Sequence, residues 1–213
     1  MPLDLLAVIQ QADAIRQLQG YLTISEILNL SHDNQIYDPF SLLINSRVQI
    51  GRGNIFFPSV QLECHDPGQL VVGNSNTFFS NCRVVADPGL VMIGNGNQFG
   101  EGGCIIKANR PGSRIEIGNN GRFTAGVWVL GKTMLGTGSQ VIGQVYVENC
   151  ELAAGESYSH EDPARRGAVL KGFGQARGLI VRQGFVITSD NGAFLQSGEQ
   201  PQGHFHPEKS DGK

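Results

Sequence analysis

From Ile44 to Ala153 the apolar side chains recur at intervals of six residues, a spacing that belongs neither to a lone strand nor to a helix. Four stretches set the phase: "IGRGNIF" from Ile50, "VGNSNTF" from Val72, "IGNGNQF" from Ile93 and "IGNNGRF" from Ile117. Stepping by six from each first residue gives Ile50, Phe56 and Leu62; Val72, Phe78 and Val84; Ile93, Phe99 and Ile105; Ile117, Phe123 and Val129. The last series runs on through Leu135, Val141, Val147 and Ala153, and Ile44 extends the first backwards. Of these 17 positions 16 are Val, Ile, Leu or Phe, too many for coincidence, so each is assigned an inward-facing side chain.

Four residues after such positions the chain is small or kinked, as at Val60, Cys82, Gly103, Gly121, Val127, Thr133, Ser139 and Val145. A unit of one inward aliphatic residue, a short strand and a turn buries nothing alone. Three of them make a triangular coil, and stacked coils share a core and a parallel backbone ladder. The turns "HDPG", "ADPG" and "NRPG" absorb what exceeds 18 residues per coil. Asn54, Asn76 and Asn97 hold the same place in three successive blocks, which predicts a ladder at one corner. The glycine signatures are coil corners and not phosphate loops, because no helix follows them.

The flanks read differently. In "PLDLLAVIQQADAIRQLQG" Leu5, Val8, Ala12 and Ile15 share one helical face, predicting an amphipathic helix from Pro2 to Gly20. Thr23 and Glu26 have capping-box spacing and predict a second short helix. The chain then divides into a helical cap (1–40), the regular coil (41–158), a charged segment with closing strands (159–190) and a polar tail expected to be mobile (191–213).

Composition adds exclusions. A length of 213 residues suits one sizeable core, and 16 basic against 19 acidic residues leave a net charge of -3, without the basic footprint of a nucleic-acid or membrane-surface binder. Cys64, Cys82, Cys104 and Cys150 form no C-x-x-C pair, and no long export or spanning segment is evident. A reduced cytoplasmic setting follows as the expectation.

The unbroken [LIV]-G-x-x-[small]-x series resembles the hexapeptide-repeat family. That resemblance implies a mainly β fold, a single-stranded left-handed parallel β-helix with an N-terminal α-helical segment. Within the family "ADPGLVMIGNGNQFGEGGCIIKA" is similar to the noncatalytic coils of dynactin subunit 6 and its bacterial relatives. Many members are acyltransferases, homotrimers that hold an acyl-coenzyme A cosubstrate in the groove between subunits and use a His as general base. The resemblance therefore implies acetyl-CoA or another acyl-CoA as donor and no tightly bound cofactor; other members are scaffolds that bind further protein subunits.

The chain offers five histidines for such a base. His65 has Glu63 and Asp66 beside it in "ECHDPG", and His160 has Glu161 and Asp162 in "SHED", so an orienting carboxylate is at hand for either. His32 reads as structural. His204 and His206, with Glu208 nearby, have the residue types of a metal pair but no fixed third ligand, so no metal site is assigned. The three coil-borne His of γ-class carbonic anhydrases have no counterpart here. Arg165, Arg166, Lys171, Arg177 and Arg182 place five cations within 18 positions, enough for a phosphate-bearing ligand or for a solvated strip. "GFGQARGLIV" resembles in part the closing G-N-P-A-[KR] segment of acetyltransferases but lacks its proline, which puts Arg177 forward as the cofactor-phosphate contact. Trp128, between inward Val127 and Val129, points outward and suggests an interface or a cofactor contact.

Overall fold

A computed structural model describes residues 4–205. Two helices, α1 (Leu5–Leu18) and α2 (Ile24–Leu30), precede a continuous series of short strands. Within each of three sheets the strand order steps by three along the chain, and the successive strands pair in parallel. Three strands thus make one coil, and the 21 strands from Gln35 to Val181 make seven coils of a parallel β-solenoid. The first sheet runs from Gln35–Ile36 to Phe185–Thr188, the second from Leu43–Ile44 to Gly174–Arg177, the third from Gln49–Ile50 to Ile180–Val181. One further strand, Glu199–Pro201, closes the first sheet in antiparallel pairing with Phe185–Ile187.

The hexad positions form the core. Phe56, Phe78, Phe99 and Phe123 are buried and stacked in one column, with ring centroids 5.4, 4.9 and 5.3 Å apart. Beside this column the predicted asparagine ladder is present, and it begins one coil earlier than the repeat suggested. Asn54, Asn76 and Asn97 each donate through Nδ2 to Oδ1 of the preceding member at 3.1, 3.1 and 3.0 Å, and Asn34 starts the column. Each also receives a backbone N–H on its Oδ1, so every coil corner is satisfied by the coil next to it. The signature glycines have a steric rather than a torsional reason. A Cβ on Gly73 or Gly94 would lie 2.6 Å from the carbonyl oxygen of the equivalent glycine in the next coil, nearer than stacked backbones permit.

Two inward assignments slip by one residue. Ile105 faces outward and Ile106 is buried in register with Val84 and Val129, because the turn Gly100–Gly103 carries one residue more than its equivalents, held by positive φ throughout. Ala153 is only half-buried; Leu152 takes its place opposite Leu135, since the corner before it is one residue shorter. The coil also continues past Tyr158, where the sequence expects the regular register to close. Residues 155–167 bulge outward, and Val169–Lys171 resumes the first sheet in register with Gln140–Ile142. Nor is 191–205 a free tail: Phe194 and Gln202 are buried.

The N-terminal helices divide their tasks. The capping box at Thr23 and Glu26 forms, and α2 sends Ile24 and Ile27 into the core, covering the first coil. In α1 the expected apolar face is exposed at Leu5, Val8 and Ile15, and the buried residue is Arg16. Its guanidinium donates to the carbonyls of Leu22, Phe40 and Leu42, so polar satisfaction of the first coil's backbone, and not apolar burial, anchors this helix.

Candidate functional site

Alternation along each strand sends one residue inward and the next outward, so the residues available for chemistry stand in rows on three outer faces. On the second sheet Arg83, Ile105, Trp128, Tyr146 and Gln175 occupy one outward row. Trp128 is 39 % exposed, its ring 6.5 Å from that of Tyr146. Lys107 Nζ lies 5.6 Å from the Trp128 ring centroid and the Arg177 guanidinium 5.6 Å from that of Tyr146. Arg177 is also paired with Glu148 at 3.3 Å, and Arg110 shares that carboxylate at 3.1 Å. The result is a flat aromatic strip flanked by cations, including both Trp128 and Arg177.

The first sheet carries a cleft of about 340 Å³ near the end of the solenoid. Its floor is the outward row Arg122, Gln140, Val169 and Val186 with the neighbouring row Ile142, Lys171 and Thr188. One wall comes from the bulge, through Tyr158 and Arg166, and the other from the final segment, through Gln202 and Phe205. Gln202 fixes that second wall. Its Nε2 donates to Gly167 O at 2.7 Å and Phe185 O at 3.2 Å. Arg122 sits 5.5 Å from the Tyr158 ring centroid, and Arg166 Nε donates to His160 O at 2.7 Å. Three cations thus share one cleft, and no carboxylate is among its described lining.

The two candidate bases fare differently. His65 stands on a coil-to-coil turn at the opposite part of the chain. The carboxylates beside it in sequence are engaged elsewhere: Asp66 pairs with Arg47 at 3.0 Å and Glu63 takes Arg83 in a two-pronged contact at 2.8 and 3.1 Å. His160 stands beside the cleft, tied to it through Arg166. Its Nδ1 lies 3.1 Å from Asp162 N and 3.3 Å from Asp162 O, so the backbone and not a carboxylate orients the ring. Because the Asp162 N–H donates to Nδ1, the neutral ring carries its proton on Nε2, and its one acceptor nitrogen is the one the backbone already occupies.

The basic strip read from the sequence is dispersed. Arg165 pairs with Glu156 at 3.1 Å, Arg182 with Glu199 at 2.8 Å and Arg177 with Glu148, leaving Arg166 and Lys171 to the cleft. Lys171 and Arg177 therefore do not share a site within one chain. Arg122 and Tyr158 were not singled out from the sequence, although Arg122 left a signal: in the slot where the other signatures have Ile55, Thr77 and Gln98, the fourth has an arginine. His204 packs edge-on against Phe205 at 5.3 Å, while His206 and Glu208 lie outside the described residues. Among the described residues no cluster of three or more His, Cys, Asp or Glu has metal-site geometry, and no helix is long and apolar enough to cross a membrane.

The thiols are structural. All four cysteines are unpaired and buried, and burial pushes Cys82 up to about 12 and Cys104 well above the ordinary thiol range. Comparison of the chain with protein-family models and with curated proteins gives no match to either.

Proposed function

We propose that the chain is a left-handed coil of the hexapeptide-repeat type, acting in the cytoplasm as a noncatalytic assembly scaffold, with a homotrimer as the expected form and other protein subunits as possible additions. The observation that supports this reading is the second-sheet strip of Lys107, Trp128, Tyr146 and Arg177. Exposed aromatics and arginine on a flat, rigid face are what the cores of protein interfaces are made of. Sedimentation velocity tests it. The wild type should sediment as an assembly that Trp128→Glu breaks down, with the circular-dichroism spectrum unchanged; a wild type that is monomeric at tens of micromolar would sink the scaffold reading.

A second reading, an acyl-CoA-dependent O- or N-acyltransferase, is favoured by one observation: His160 is held by the Asp162 backbone beside the cleft that contains Lys171. In that reading His160, once its Nδ1 is released from the Asp162 N–H, removes the proton of the acceptor hydroxyl or amine through that nitrogen, and Lys171, Arg177 and Trp128, brought together across two subunits, meet the coenzyme. His65, with both adjacent carboxylates engaged, is the weaker base. Calorimetric titration with acetyl-CoA decides: micromolar binding, about -8 kcal/mol, lost in Arg177→Ala would support it, and no heat up to millimolar ligand would end it.

A further inference from the structure

We propose that the first-sheet cleft is a binding site for a small organic dianion, a phosphate monoester or a dicarboxylate, whose charged end meets Arg122, Arg166 and Lys171 and whose apolar body rests on Val169 and Phe205. The argument begins with where the arginines go. The chain has eleven, and eight of them form salt bridges among the described residues. Arg16 is a ninth with its own account, held by three carbonyls. The two that remain without a carboxylate partner among the described residues are Arg122 and Arg166, and both line this one cleft, with Lys171 as a third cation. Gathering like charges without a counter-ion is unfavourable unless solvent or a ligand supplies the anion. Guanidinium forks suit the paired oxygens of phosphate and carboxylate.

The scaffold presents these groups rigidly. Arg122 and Lys171 stand two rungs apart in neighbouring outward rows, roughly 10 Å across the rungs and ~7 Å along the strand, a gap that a small dianion spans between long basic side chains. Hydrogen-bonding partners that carry no charge, such as Tyr158, share the lining with apolar side chains, so the cleft offers contacts both to oxygens and to carbon. A volume of about 340 Å³ lies at the low end of ligand sites and fits a molecule far smaller than coenzyme A. The site rests on neither reading above. Its readout is binding of a small dianion, not assembly or acyl transfer.

The test is isothermal titration of the full chain with phenyl phosphate, phthalate and inorganic phosphate, on the wild type, Arg122→Gln, Lys171→Met and, as a distant control, Lys132→Met. Saturable binding of phenyl phosphate or phthalate is expected, weakened about tenfold or more by Arg122→Gln and by Lys171→Met and unchanged in the control. The tighter of the two organic probes identifies whether phosphate or dicarboxylate is the natural chemistry. No binding of either at millimolar concentration, or equal weakening in Lys132→Met, would overturn the site. Inorganic phosphate binding as tightly as phenyl phosphate would overturn its organic part.

Discussion

Replacing Asn76 with alanine removes the middle of a buried amide column. Asn76 Oδ1 accepts from Asn97 N and from Asn97 Nδ2, each at 3.0 Å, while Asn76 Nδ2 donates to Asn54 Oδ1 at 3.1 Å and Gly94 O at 2.9 Å. In Asn76→Ala, Asn54 Oδ1 keeps the backbone N–H of residue 76, and Asn97 Nδ2 keeps Gly118 O. Two donors are then orphaned in the core, the Asn97 backbone N–H and one Asn97 side-chain N–H. At about 1–3 kcal/mol for each unsatisfied buried group, the loss is about 2–6 kcal/mol, a large part of the ~5–15 kcal/mol of a typical fold. The internal control is Asn95, whose Oδ1 accepts from Asn74 N at 2.7 Å in the equivalent but exposed ladder. There water replaces the lost acceptor, and Asn95→Ala should cost no more than about 1 kcal/mol. Urea unfolding followed by circular dichroism, with slopes compared before midpoints, measures both. Equal midpoint shifts for the two variants would refute the reasoning, because they would mean that burial of the inner ladder carries no energetic weight.

Three further outcomes follow from the same structure. Phe99→Ala leaves a cavity between Phe78 and Phe123, stacked at 4.9 and 5.3 Å, and should cost about 3–5 kcal/mol by urea melt; Phe57→Ala on the partly exposed outer stack should cost clearly less. With a thiol-reactive dye at pH 8, native protein should leave Cys82 and Cys104 unlabelled, both becoming reactive only on unfolding, since burial keeps them protonated and out of reach. The Thr23 backbone N–H and hydroxyl hold Glu26 below its ordinary value of 4.5, so its contribution is present above that value and is lost as pH falls through the lower folded one. Thermal melts between pH 6 and 3 should therefore show a shallower acid decline for Glu26→Gln than for the wild type, and parallel curves would remove the capping box from the acid response.

The repeat was legible because each coil must bury the same things. Phe56, Phe78, Phe99 and Phe123, the six-residue interval and the asparagine corners are local requirements of a stacked coil, and each left its mark in sequence. The misreadings lie where chain length per corner changes without a change in composition. One extra residue at Gly100–Gly103 turns Ile105 outward, and one fewer before Leu152 displaces Ala153. A bulge of 155–167 masks the coil's continuation, since register in a parallel ladder is set by the neighbouring strand and not by distance along the chain. In α1 the apolar face that the helical spacing predicts is exposed at Leu5, Val8 and Ile15, because Arg16 anchors the helix through three carbonyls on residues 22 to 42 that no local pattern announces.

The candidate sites divide along the same line. By itself the sequence determined that the chain coils and, Ile105 and Ala153 apart, which hexad side chains fill the coil. These depend on alternation and repetition, which are written locally. Only the tertiary structure decided which outward residues meet: it separated Lys171 from Arg177, joined Lys171 to Arg122 and Arg166, and engaged both carboxylates beside His65 with Arg47 and Arg83. Neighbours on an outer face come from different coils, tens of residues apart, and their meeting is fixed by the lateral stacking of strands ~4.8 Å apart, a distance that a single strand's sequence does not encode.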